Sequence, residues 1–218
     1  MIIKAVIPIK IQSKRLPKKN LLKINDKPLV EWAISALDGV KGCEETIVYC
    51  SYSYLIDKYI TSPHKTIKRC TCLDTPDSNF HSIMKYLTEV DEQHADVWIW
   101  HHATSPFITT ETIQDMLDKV MDPKTPYDSA FAVYKLPKFA WYMGHPLNFT
   151  PSDIGFTQTV EPIYIETSGP WIFSEKHFKE TGKRVTKQPY MKVVSFEEGI
   201  DIDTRVEFEL ARKIKEAE

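Results

Sequence analysis

Hydrophobic and polar positions along this chain switch repeatedly between two periods. Residues 2–9 (IIKAVIPI) form an apolar, β-branched run of strand length, and the polar stretch KIQSKRLPKKN (10–20) ends it. KPLVEWAISALDG (27–39) then reads as a helix: Leu29, Ala33 and Leu37 recur at helical spacing, with Val30 and Ile34 beside them. Pro28 suits its first helical position and Gly39 its C-terminal cap. ETIVYCS (45–51) predicts a second strand, YLIDKYI (54–60) a short helix and KTIKRC (65–70) a third strand. SNFHSIMKYLTEV (78–90) puts Phe80, Ile83, Met84 and Leu87 on one helical face. DVWIWHH (96–102) is a buried strand, TTETIQDMLDKVM (109–121) a helix through Ile113, Met116, Leu117 and Val120, and SAFAVYKL (129–136) another strand.

Strands alternating with helices predict an α/β fold, a mostly parallel sheet covered on both faces. In such sheets functional residues gather at the carboxyl ends of the strands. The basic loop (10–20) and HHATSP (101–106) both lie at such ends and should meet on one rim. Between 137 and 165 no clean period is visible, and Pro, Gly and aromatic residues crowd together. That length exceeds an ordinary connection, so it predicts an inserted arm or lid within one domain spanning 1–218. GPWIF (169–173), the helical SEKHFKETG (174–182) and the strand YMKVVSF (190–196) return to the main body. The chain closes on DIDTRVEFELARKIKEAE, with Thr204 and Glu207 forming a capping box at the head of the last helix.

Composition narrows the function. With 218 residues, 42% hydrophobic and 27% charged, the chain is an ordinary globular protein. Its formal charge of -2 argues against a nucleic-acid coat, which usually needs a strong positive excess. No apolar stretch reaches the roughly 20 residues that cross a bilayer, and MIIKAVIPIK reads as too short for a signal peptide. Cys43, Cys50, Cys70 and Cys72 lack the spacing of a structural zinc site, so reduced thiols of a cytoplasmic protein are expected.

Against that mild overall charge, Lys10, Lys14, Arg15, Lys18 and Lys19 cluster directly after the first strand. The loop is neither a Walker A loop nor a dinucleotide fingerprint. Cations, Ser13 and backbone N–H groups after a strand are nevertheless the parts that bind a polyphosphate, and a solvated basic turn is the alternative. Asp201 and Asp203, two apart in an extended segment, can face one hard cation such as magnesium; their other use is to favour the positive end of the last helix. The adjacent His101 and His102 point to opposite faces of their strand, which predicts one toward the site and one satisfied inside the structure, not a shared metal.

Together these segments carry a resemblance. AVIPIKIQSKRLPKKNLLKINDKPLVEWAI is similar to the opening of the CMP-sugar-acid synthetases, the acylneuraminate cytidylyltransferase-like family, whose loop runs roughly A-R-x-x-S-K-x-[IL]-P-x-K-N before a G-K-P-L helix start. HHATSPF resembles their L-Q-P-T-S-P-L, and IDIDTRVEFELA their D-I-D-T-x-x-D-L-x-x-A. The resemblance implies a nucleotide-diphospho-sugar transferase-like α/β domain, a homodimer formed through an excursion like 137–165, CTP as substrate and a divalent metal, normally Mg2+. It implies that Ser13, Lys19 and Asn20 line the triphosphate beside Lys10, Lys14 and Arg15, that Arg69 and Ser78 lie near the base and ribose, and that His102 stands where the family has glutamine. Thr104 and Ser105 keep the family's threonine and serine among the nucleotide-binding positions, and Asp201 and Asp203 match the metal aspartates.

Three departures stand out. Lys10 replaces the loop arginine, and Arg15 stands where acylneuraminate enzymes usually have glycine. Glu166 replaces an arginine in the segment, with Ser168 and Trp171, that holds the sugar acid in the family; a carboxylate there should repel an anionic acceptor, N-acetylneuraminate included. The expected reaction joins CMP from CTP to an acid acceptor (a nonulosonate, another keto acid or a phosphonate) with release of pyrophosphate, Lys19, Asp201 and Asp203 carrying it. A GT-A-like glycosyltransferase using D-x-D, and an inactive nucleotide-binding regulator, remain open at this point.

Overall fold

The computed structural model describes residues 1–13 and 15–217, apart from the side chain of Leu55. Along the chain lie β1 (Ile3–Ile9), the hairpin strands β2 (Lys23–Ile24) and β3 (Lys27–Pro28), α1 (Leu29–Asp38), β4 (Cys43–Cys50), α2 (Ser53–Ile56), β5 (Lys65–Lys68), α3 (Phe80–Glu89), β6 (Val97–Trp100), α4 (Thr110–Met121), β7 (Ser129–Leu136), the hairpin strands β8 (Trp141–Tyr142) and β9 (His145–Pro146), β10 (Ile163–Ser174), α5 (Glu175–Thr181), β11 (Pro189–Val194) and α6 (Arg205–Glu216). The main sheet has seven strands in the order β11-β7-β10-β6-β1-β4-β5. β10 is antiparallel to both its neighbours, and the other pairs are parallel.

The period-2 geometry of the strands divides the core into two layers. Ile3, Ala5, Ile7 and Ile9 of β1 face α1 and α4, meeting Ile34, Leu37, Ile113 and Met116. Val6, with Trp98 and Trp100 of β6, faces the opposite way onto Met84 and Leu87 of α3 and Phe178 of α5. β1 and β6 are therefore apolar on both sides, as a central strand of a parallel sheet must be. A third cluster places Phe208 and Ala211 of α6 over Ile24, Leu29, Phe107 and Ile202.

Helix ends mostly follow local chemistry. The side chain of Asn79 accepts from the Ser82 amide in a capping box that opens α3, and Thr204 with Glu207 forms the predicted box at α6. α1 departs from expectation at both ends. Pro28 is its extended N-cap rather than its first helical residue, because it also pairs with Lys23 across the β2–β3 hairpin. Gly39 closes α1 in the right-handed region, so it is not a left-handed cap; a Cβ there would lie 2.8 Å from Thr110 Cγ2, and glycine lets the end of α1 approach the start of α4. The expectation of reduced thiols also fails in part. The 3-10 turn Thr71–Leu73 brings Cys70 and Cys72 to a Cα separation of 5.2 Å, within disulfide range, and they are bonded; Cys43 and Cys50 are free.

Two features of β10 place the candidate site. Its Trp171 sits opposite Trp100 at the end of β6, so residues 163–170 run past the carboxyl end of β6. The segment 137–162, with the small β8–β9 hairpin, joins β7 to this overshooting strand and turns the chain antiparallel. Trp141, Tyr142, Met143 and Phe156 in that segment are exposed.

Replacing Gly39 with alanine should destabilise the protein by about 1–3 kcal/mol through overpacking, although glycine to alanine at a right-handed position ordinarily stabilises by a few tenths to about 1 kcal/mol. Urea unfolding checks this, and in a Thr110→Ala background the same substitution should become neutral or stabilising.

Candidate active site

Two apolar residues anchor the loop after β1 in the core. Ile11 and Leu16 are buried in separate core clusters, while Gln12, Ser13, Arg15 and Lys19 face a cleft. Lys18 adopts a left-handed backbone (φ 55°) ahead of the 3-10 turn Lys19–Leu21. For a lysine that conformation is costly by about 1 kcal/mol or more, a strain typical of functional loops. Asn20 is buried and donates from Nδ2 to the Lys10 carbonyl at 3.1 Å, tying the loop's two ends together. Lys14 lies outside the described residues.

The other wall comes from β6 and from the segment before α6. The Ile202 amide donates to the Thr104 carbonyl at 2.8 Å, joining HHATSP to DIDT. Ile202 is wholly buried, and its two flanking aspartates turn the other way. Lys19 Nζ stands 2.5 Å from Asp203 Oδ1, and an Arg15 Nη is 2.6 Å from Oδ2. Burial alone would raise the Asp203 carboxyl; the hydrogen bond and charge of Lys19, then Arg15, overcome it and hold the group below the usual carboxylate range. Asp201 Oδ2 accepts from Ser168 Oγ at 2.5 Å, and its Oδ1 is buried with no hydrogen-bond partner among the described residues.

These walls enclose a cleft of about 510 Å³, lined among others by Lys10, Ser13, Arg15, Lys19, Asn20, His102 and Thr104. A second cleft of about 290 Å³ shares Pro8, Lys10 and His102 with it and is lined by Arg69, Ser78, Phe80, Trp100 and Arg184. The Lys10 ammonium donates to the Thr75 carbonyl at 3.3 Å between the two. Arg69 is buried, ion-paired with Asp74 and placed over the Tyr49 ring. Ser105 departs from expectation: it is wholly buried, does not line either cleft, and its hydroxyl lacks a partner among the described residues.

The histidines separate as the strand geometry predicts, with one correction. His102 lines both clefts, and its Nε2 accepts from Trp100 Nε1 at 2.9 Å, so the neutral ring carries its proton on Nδ1. Enclosure, then the charges of Lys19 and Arg184, push its pKa down to about 4 against an opposing pull from Asp203. His101 points inward and is fully buried, but neither ring nitrogen has a partner among the described residues, so it is not the satisfied histidine expected. It packs against Gly169, whose Cβ, if present, would lie 2.9 Å from His101 Nδ1 at a φ of +129°. Burial pushes the His101 pKa down to about 3.

Glu166 does not stand alone. Its Oε1 accepts from Trp171 Nε1 at 2.7 Å and from an Arg184 Nη at 2.7 Å, and the Arg184 guanidinium stacks 4.1 Å over the Trp171 ring. A cation thus stands beside Glu166, supplied from 18 residues downstream. Sequence spacing gave no sign of Arg184 or of Asp74.

Comparison with known proteins decides the class. The profile of the cytidylyltransferase family matches residues 4–218. The chain belongs to that family. Members are CTP-dependent nucleotidyltransferases and generally use a divalent metal ion. The CMP-N,N'-diacetyllegionaminic acid synthase of Legionella pneumophila is 26% identical over 99% of this chain and 97% of its own. The N-acylneuraminate cytidylyltransferase of Streptococcus agalactiae is 22% identical over 93% of this chain, which spans about half (51%) of that longer protein. Among solved structures, a CMP:2-keto-3-deoxy-manno-octonic acid synthetase in complex with CTP superposes with a TM-score of 0.73 at 15% identity, covering 100% of this chain and 99% of that one. A 4-diphosphocytidyl-2C-methyl-D-erythritol synthase from Anaerococcus prevotii gives 0.69 at 13% identity, covering 99% and 96%. These two likenesses bear out the α/β nucleotidyltransferase fold.

Both histidines should stay neutral through the physiological range. Histidine NMR should show His102 protonated on Nδ1 and unchanged from pH 8 to 5, charging only near pH 4. Because folding lowers both pKa values, the neutral rings favour the native state above the ordinary histidine pKa of about 6.5. That contribution is lost as pH falls through about 4 and then about 3. A His102 midpoint near 6.5 would contradict the enclosed geometry.

Proposed function

We propose that this cytidylyltransferase transfers CMP from CTP to a sugar acid or similar keto acid, releasing pyrophosphate. One observation carries the reading: the cations of the first loop line one cleft at the carboxyl end of β1, and two of them, Lys19 and Arg15, pair there with Asp203 from the far end of the chain. The acidic acceptor rests on the two curated relatives, whose names specify sugar acids.

In this reading the acceptor oxygen forms a bond to the α-phosphorus, the bond to the bridging oxygen breaks in line, and the acceptor's proton leaves to solvent. Such chemistry depends on positioning and on offsetting charge over the phosphates. Lys19, Arg15 and Lys10 stabilise the departing pyrophosphate in this reading, Asn20 ties the loop's ends together and Ser13 lines the cleft. Arg69 and Ser78 take the base end in the second cleft. A triphosphate entering the cleft gives Lys19 and Arg15 a further anionic partner beside Asp203.

Asp201 and Asp203 fit a divalent ion such as Mg2+, which takes one or two carboxylates alongside phosphate oxygens and water. The buried, unpartnered Asp201 Oδ1 is an oxygen of the right kind, and among the described residues no larger cluster of metal-ligating side chains exists. When bound, the ion supplies further charge neutralisation at the phosphates. Reading pyrophosphate release with CTP, Mg2+ and a panel of sugar acids tests the proposal; tight CTP binding with no release on any acid would favour an inactive regulator. Asp203→Asn should keep the fold, since the Thr204–Glu207 capping box is untouched, yet lower turnover by about 100-fold or more at limiting Mg2+.

We also propose that the protein is cytoplasmic and that residues 137–165, whose last three residues open β10, form a dimer arm within a single domain. Trp141, Tyr142, Met143 and Phe156 supply exposed apolar surface of the kind that anchors a partner. Sedimentation should show a dimer at micromolar concentration, and Trp141→Ala with Phe156→Ser should shift it toward monomer; a monomeric parent protein would remove the arm.

A further inference from the structure

We infer that Arg184 binds the acceptor's carboxylate and so determines acceptor specificity, with Glu166 and Trp171 as its cradle. The inference rests on the proposed transfer to an acid. Arg184 lines the second cleft beside His102, Phe80 and Trp100, at the side that β10 reaches by overshooting β6. Its guanidinium is fixed on three sides: stacked 4.1 Å over Trp171, 5.7 Å from the Phe80 ring centre, and bonded through one Nη to Glu166. A guanidinium has five N–H donors in a rigid fork; Glu166 takes one Nη and Nε is buried, so the remaining Nη donors are the ones a ligand can meet. The side chain is a third exposed, so a ligand can reach it.

The alternatives for a carboxylate on this side of the cleft are poorer. Arg69 is buried and held by Asp74, and the Lys10 ammonium lies toward the Thr75 carbonyl between the two clefts. A planar fork held against an indole matches a planar carboxylate and loses little freedom on binding it. Glu166 acts through Arg184, as a positioning residue: it orients the guanidinium and leaves the other donors for the acceptor. A chain that carries a carboxylate at 166 can therefore still take an anionic acceptor.

The test compares three acids, N,N'-diacetyllegionaminic acid, N-acetylneuraminate and 2-keto-3-deoxy-manno-octonic acid, each beside its methyl ester, by pyrophosphate release. With whichever acid the unaltered protein uses best, the acid should be preferred over its ester. In Arg184→Ala the KM for the acid should rise about 10- to 100-fold, the worth of a lost charge-assisted hydrogen bond. The ester should be little affected, so the preference disappears, while the KM for CTP, whose base end shares this cleft, rises less than that for the acid. Arg184→Lys should recover part of the preference, and Glu166→Gln should weaken acid binding less than Arg184→Ala does. A preference that survives Arg184→Ala, or an equal rise in the KM for CTP, overturns the inference alone. Should the alanine variant fail to fold, Arg184→Lys decides, because an unchanged acid-to-ester ratio there overturns it too. No release from the unaltered protein with any acid overturns the proposed reaction, and the inference with it.

Discussion

Asp203 lies 184 residues from Lys19 along the chain, and the ion pairs joining it to Lys19 and Arg15 hold the site together. Without them the basic loop would be a strained, self-repelling turn with a left-handed lysine at its corner. With them it is drawn against the segment that precedes α6, and the Ile202 amide ties that segment to the end of β6. The interaction is part-buried, so it is neither a screened surface pair nor a desolvated one. Its balance is uneven: one carboxylate meets two cations, and Lys10 stands nearby. The surplus positive charge is what a polyphosphate would offset.

The sheet supplies the geometry that makes this contact possible. Six strands running one way bring their carboxyl ends to a common rim, where β1 contributes the loop and β6 the histidine segment. The antiparallel β10 then adds a wall from the opposite direction. Its residues 163–170 continue beyond β6 and carry Glu166 and Ser168 to the site, Ser168 bonding Asp201 and Glu166 holding Arg184. The same reversal places the exposed 137–162 segment beside that wall. Cleft and exposed segment are thus consequences of one topological feature, a strand that returns antiparallel after a long connection.

Much of this was legible in the residues because it depends on local pattern. The two-sided apolar run of β1, the helical faces of α3 and α4, the Thr204–Glu207 cap and the alternation of Asp201, Ile202 and Asp203 are all local in sequence. What escaped depends on contacts between distant segments. Pro28 caps α1 from outside because it pairs in a hairpin, and Gly39 is needed for Thr110 rather than for its own backbone. Ser105 keeps a family residue type but turns into the interior. Glu166 read alone predicts repulsion; only the fold brings Arg184 beside it. Charge at a site is a sum over neighbours in space, and no spacing rule links positions 166 and 184.

Isothermal titration of CTP and of cytidine, with the unaltered protein and with Lys19→Ala, tests the central claim that the β1 loop exists for the triphosphate. The account predicts that the substitution weakens CTP binding by about 10- to 100-fold, as expected for losing a charge-assisted contact to phosphate, and leaves cytidine binding within about twofold. An equal loss for both ligands, or no loss for CTP, would contradict it and return the loop's cations to the role of holding Asp203.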